Sequence, residues 1–257
     1  MDWSDEGVVL AARRHGEKAL VIDALTAAHG RHAGLLRGGQ APKARAQWQI
    51  GNRLALQWRA RLEEHLGSYS GELVAAHAAK LLDDPPRLAA LASAAALASL
   101  ALPEREPHPR AYHGLLHLIA ALTAENDRAA ITDWAAIYVA WEMMLLEELG
   151  FGLDLSCCAA TGVTEDLVYV SPRSGQAVSR GAGVPYREKL LPLPDFLRRE
   201  AQTGLEEGPA PTSDDIIGGL RLAGFFLEAR VFTPHQQRIP AARGRLVDAL
   251  RSVLAIP

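Results

Sequence analysis

The chain has 257 residues, enough for one large domain or two modest ones, each with its own core. Apolar residues make up 49% and charged residues 22%, which is ordinary for a folded globular protein and excludes wholesale disorder. A net charge of −3 argues against a protein that coats nucleic acid with its whole surface, yet the charge is unevenly spread: residues 1–67 carry ten Lys/Arg against seven Asp/Glu, the remainder seventeen against twenty-three.

The front of the chain is punctuated by glycine at its turns. Segments 7–13, 19–25, 31–37 and 52–62 are each about strand length, and a fifth strand is expected near 69–74. Leu54, Leu56, Trp58 and Ala60 alternate with Ala55, Gln57, Arg59 and Arg61, the period of two expected of a half-buried strand. Five short strands suit a small closed barrel, because closure removes exposed edges. Segment 38–49 has no apolar alternation and contains Pro42, so it reads as a loop, with Trp48 at its end free to be exposed. Trp58 falls on the apolar face and is expected in the core.

This module also holds the first candidates for chemistry. Arg31 and Arg37 flank His32, Gly34 and the pair Gly38-Gly39; Lys43 and Arg45 follow in the loop, and Arg53, Arg59 and Arg61 form a third basic run. Glycine lets a backbone approach phosphates, and the guanidinium fork matches a pair of phosphate oxygens. On the residues alone, a solvated surface around a tight turn is the favoured reading. With few aromatics available, phosphate contact is expected to outweigh base stacking.

The regime then changes to helix. Pro85-Pro86 after Asp83-Asp84 is a helix start, with Asp84 as cap, and the Ala-rich run stops at Pro103. Further helices are expected from Pro109 to about residue 126 and from about residue 128 to Leu149, the latter terminated by Gly150. Residues 150–194 are irregular, with a short strand or two at 167–170. Helices resume at 195–202, 213–232 and 241–254.

Several chemistries lack their motifs. There is no phosphate loop and no Gly-x-Ser-x-Gly elbow, and Asp83-Asp84 and Asp214-Asp215 read as helix caps. His113 and His117 share a helix face, but Gly114 stands where the zinc-protease motif needs Glu. The adjacent Cys157 and Cys158 build no disulfide framework. Neither an enzyme nor a cofactor is expected, and with no leader or spanning segment in view the expected location is cytoplasmic.

Two sets of motifs carry a resemblance. One is the opening, Gly7-Val8-Val9-Leu10, His15-Gly16-Glu17-Lys18 and residues 26–39. The other is Glu142-Met143-Met144-Leu145-Leu146-Glu147-Glu148-Leu149-Gly150-Phe151-Gly152 with Cys158 and Gly162, followed by Leu220-Arg221-Leu222-Ala223-Gly224-Phe225-Phe226. In order and spacing the chain resembles the RecO recombination-mediator family along nearly its whole length. The resemblance implies an α+β protein: an OB-fold β-barrel at about 1–75, then a mostly helical domain at 76–257 with an irregular insert at about 150–194. It implies DNA repair and recombination without covalent chemistry. The protein would bind single- and double-stranded DNA, anneal complementary strands, and help load the recombinase with RecR, in association with the nucleoid. The alternative is an OB-fold adaptor acting mainly through protein contacts.

With the resemblance, Arg31, Arg37, Lys43, Arg45, Arg53, Arg59 and Arg61 become candidate DNA contacts. A second expected partner is the acidic C-terminal tail of the single-stranded-DNA-binding protein. Trp134, Tyr138 and Trp141 are candidates for its apolar slot, with Arg110 and Arg128 supplying charge. Some relatives hold zinc at the knuckle behind Gly150 with paired Cys-x-x-Cys. Here Cys158 is followed by Thr161, and residues 175–183 contain neither Cys nor His, so a knuckle folded without metal, by packing alone, is expected.

Overall fold

A computed structural model describes residues 1–62, 64–124, 131–202 and 210–254. They fall into two compact units: residues 1–124 with 240–249, and residues 125–239 with 250–257.

The first unit opens with five strands, β1 (Asp2–His15), β2 (Ala19–Thr26), β3 (Gly30–Leu36), β4 (Arg53–Arg59) and β5 (Ser68–Ala75), closed into a barrel in the order β1-β2-β3-β5-β4. Closure pairs β4 back onto β1, from Asp2 opposite Arg59 to Val8 opposite Arg53. The period-two reading of β4 holds: Leu54, Leu56 and Trp58 are buried, while Ala55, Gln57 and Arg59 are exposed. They join Val9, Leu20, Ile22, Leu36 and Tyr69 in one core. Its two polar tips are satisfied, since Trp58 Nε1 donates to the carbonyl of Leu66 (3.0 Å) and the Tyr69 hydroxyl to that of His32 (3.2 Å). The Tyr69 ring lies so close over β3 that a Cβ at Gly34 would sit 2.5 Å from it. Only glycine fits there.

Segment 38–49 departs from the expected loop, for it contains a helix, α1 (Pro42–Gln47). Pro42 stands at its first turn, where a fixed φ helps and a missing N–H costs nothing, so it starts the helix instead of arguing against structure. Trp48 is likewise not exposed; it is 3% accessible and plugs the barrel core beneath α1.

A short helix, α2 (His77–Lys80), leads to α3 (Pro85–Ala101) and α4 (Pro109–Leu122). Asp84 caps α3 as expected, its carboxylate accepting from Arg87 N at 3.1 Å. The helix packs on the outer faces of β1 and β2. Val8 and Leu10, which alternate with the core residue Val9, are therefore buried outside the barrel.

In the second unit α5 (Ile131–Glu148) packs against α8 (Ser213–Phe226). Gly150 ends α5 at φ +81°, with Phe151 N returning to Leu146 O at 2.8 Å. Between these helices lie β6 (Leu167–Val170), β7 (Ala177–Ser179), a helical turn α6 (Arg180–Gly183), β8 (Leu191–Pro192) and α7 (Asp195–Gln202). The three strands form a sheet in the order β7-β6-β8. Thr212 and Asp215 form a reciprocal capping box on α8. The α8 helix then widens into a π-helical segment, Leu227–Phe232, and the last helix is α9 (Ala241–Leu254).

The knuckle expected to fold without metal is built on hydrogen bonds. Cys158 is buried, and its Sγ accepts from Ser179 N at 3.2 Å and Ser179 Oγ at 3.4 Å. Burial raises the thiol pKa, but the donors of Ser179, Thr161 and the Ala160 backbone outweigh it and bring it down to about 6.

Candidate nucleic-acid interface

The barrel's register decides which basic residues share a surface. Arg13 on β1 pairs with Val21, Val21 with Leu35, Leu35 with Ser68, and Ser68 with Arg59. Each alternates with a core residue such as Leu20, Leu36, Tyr69 or Trp58, so this rung faces outward. Four strand spacings of about 4.8 Å place Arg13 and Arg59 about 19 Å apart around the wall. The single parallel pairing, Leu35 with Ser68, is what brings the β4–β5 connection beside the end of β3. Arg37 lies two residues past it and is exposed.

The charge around this rung is mostly positive. Lys18 sits in the β1–β2 turn, and Gln40 ties the approach to α1 onto that turn by donating to the carbonyls of Gly16 (3.0 Å) and Ala19 (3.3 Å). Lys43 and Arg45 on α1, and Arg61 beyond β4, are exposed. Arg53 is set apart: it is 34% exposed and lies 3.5 Å from Glu6. Sequence reasoning passed over Arg13, Arg14 and Lys18. Their signal was present, in a hairpin tip with three cations and one acid, Glu17.

Arg31 is corrected. Its guanidinium turns inward, with Nη1 3.1 Å from the fully buried Asp23 carboxylate and Nε donating to Leu102 O at 2.8 Å. Ser99 Oγ on α3 donates to the same carboxylate at 2.6 Å. With Nε and Nη1 engaged and its side chain 18% exposed, Arg31 ties α3 to the barrel and does not stand free on the surface as expected. His32 is also internal, edge-on to Trp58 at 4.7 Å between ring centroids, and burial lowers its pKa.

The expected partner slot is corrected as well. Trp134, Tyr138 and Trp141 are 2%, 0% and 4% exposed, so their rings are core. The Tyr138 hydroxyl donates to the buried Glu142 at 2.9 Å, so these two polar groups are paired inside the core. Arg110 is exposed near the start of α4, and Arg128 lies outside the described residues. Among the described residues no group of three or more His, Cys, Asp or Glu is placed to hold a metal ion. No described helix is long and apolar enough to cross a membrane.

The family model for the recombination protein O N terminal matches residues 1–77, and that for the recombination protein O C terminal matches residues 82–238. A DNA repair protein RecO of Rhodospirillum rubrum is 50% identical over 252 residues, covering 98% of this chain and 97% of that protein. The proteins of the same name from Rhodospirillum centenum and Phenylobacterium zucineum are 51% and 48% identical, covering 98% and 97% of this chain and 95% and 98% of their own lengths.

Proposed function

Because the chain belongs to the RecO family, we propose that it is a recombination mediator in DNA repair that binds single- and double-stranded DNA, brings complementary strands together, and helps load the recombinase with RecR. The observation that carries the reading is the outward rung from Arg13 to Arg59, with Arg37 beside it, on the wall of an OB-type barrel. Such a band holds phosphate backbones by charge and reads no sequence. Two strands held on it repel each other less, while base pairing supplies the driving energy. No catalytic residue, metal or cofactor enters this mechanism. The tail of the single-stranded-DNA-binding protein stays a partner in this reading, although the buried rings of α5 are withdrawn as its contacts.

The test is the salt dependence of oligonucleotide binding. Each lost phosphate contact flattens the logarithmic salt slope by roughly 0.7 on single strands. Replacing Arg13, Arg37 and Arg59 with Ala should flatten it by about 2, weaken binding to every sequence alike, and slow annealing of complementary strands. A slope equal to that of the unaltered protein would refute the assignment.

A further inference from the structure

The end of the barrel that α1 caps carries an open groove of about 720 Å3, walled by the end of β1, the start of β2, α1 with the turn after it, α2 and the first half of α3. Its floor is apolar, with Trp48 and Leu91 buried beneath it. Two large aliphatic side chains of the lining are nevertheless open to solvent, Ile50 at 39% and Leu82 at 62%. The only charged groups lining the groove are Arg14 and Arg45, and no carboxylate faces it among the described residues.

We propose that this groove is a docking site for an amphipathic helix of a protein partner, one whose apolar stripe is flanked by carboxylates. Shape and charge both favour that occupant. Ala12, Ala46 and Ala92 in the lining are small and leave room for a helix backbone, while the exposed Ile50 and Leu82 offer apolar side chains for it to pack against. Arg14 and Arg45 complement acidic flanks. An extended segment would need main-chain partners, and the helices α1, α2 and α3, which supply half of the lining residues, offer none. A helix satisfies its own backbone and needs only the apolar anchors. A nucleic-acid strand fits poorly, since the floor offers aliphatic carbon and neither an exposed aromatic face nor a line of cations.

The groove shares Arg14 and Arg45 with the surroundings of the basic band, but its apolar anchors Ile50 and Leu82 carry no charge, so substitutions there test it apart from the DNA reading. The probe is a fluorescein-labelled helical peptide with Leu at i, i+3, i+4 and i+7 and Glu on both flanks, titrated against the full chain. Two comparison peptides are a scramble of the same composition and a version with Lys for Glu. The designed peptide should bind at least tenfold more tightly than either. Leu82→Asp and Ile50→Asp should each weaken it tenfold or more, and Arg45→Glu should weaken the Glu peptide while improving the Lys version. Both apolar sites are already exposed, so these variants should melt like the parent, and Leu82→Asp should leave DNA affinity unchanged. Absence of binding, equal binding of the scramble, or a twofold or smaller effect of both aspartate variants would overturn the proposal. Displacement of the peptide by DNA with the aspartate variants silent would place it on the basic band and overturn the proposal equally.

Discussion

The guanidinium of Arg31 faces the Asp23 carboxylate, the Leu102 carbonyl and, at 3.9 Å, Glu104. Asp23 is 0% exposed, and only one of its oxygens has a hydrogen-bond partner. Removing the cation would leave a buried carboxylate served by Ser99 alone, and such broken pairs cost about 3–5 kcal/mol. Arg31→Ala should therefore lower stability in urea by about 3 kcal/mol while leaving the salt slope of DNA binding unchanged. A flattened slope with unchanged stability would restore Arg31 as a phosphate contact. His32 gives a second prediction. Its folded pKa is below the unfolded value near 6.5, because burial disfavours its charged form. Its unfolded form takes up the proton more readily, so stability is complete above pH 6.5 and falls as pH drops through that value toward the folded pKa. Urea midpoints between pH 7.5 and 5.5 should decline in the parent and decline less in His32→Gln; parallel curves would contradict it.

At the scale of elements, the strands and most helices were legible because their causes are local. The alternation of Leu54, Leu56 and Trp58 needs only the pleat, and the Asp84-Pro85 start of α3 needs only its own first turn. The α1 helix was hidden because it has no buried residue and hence no apolar face to read. The inward turn of Arg31 was hidden for another reason: its carbonyl partner Leu102 lies 71 residues away, as Ser99 lies far from the Asp23 it shares with Arg31, and both arrive only when α3 docks. The basic band was half visible. Arg37 and Arg59 could be named as candidates, but their union depends on the Leu35–Ser68 register, which no local pattern encodes. The knuckle carries its own prediction. With Cys158 at about 6 in the fold and near 8.5 unfolded, its contribution to stability is complete above about pH 8.5 and is lost as pH falls through about 6. Cys158→Ser should flatten stability across that window. The purified protein should carry no stoichiometric zinc, and about one zinc atom per chain by elemental analysis would show that the sulfur serves a metal.

For the whole molecule, the border between the two matched family models, at residues 77 and 82, differs from the border of the compact units at residue 124. The reason lies on the barrel's outer wall. Val8, Leu10 and Leu25 are each at most 1% exposed although they alternate with residues of the barrel core, and Asp23 is sealed among them. The cover comes from α3 and α4, which pack on β1 and β2. Exposing three large aliphatic side chains costs about 1.5–3 kcal/mol each, before the loss of Ser99 and Leu102 from the Asp23–Arg31 pair. The sum is comparable to the entire stability of a small domain, about 5–15 kcal/mol. A fragment of residues 1–77 should therefore lack a cooperative urea transition, whereas residues 1–124 should unfold cooperatively. The longer fragment should be somewhat less stable than the full chain, since residues 240–249 belong to the same unit. Within the longer fragment, Leu25→Ala should cost about 2–5 kcal/mol, as for a core leucine, although it points away from the barrel interior. A cooperative 1–77 fragment as stable as 1–124 would mean that the barrel stands alone and that α3 merely rests on it.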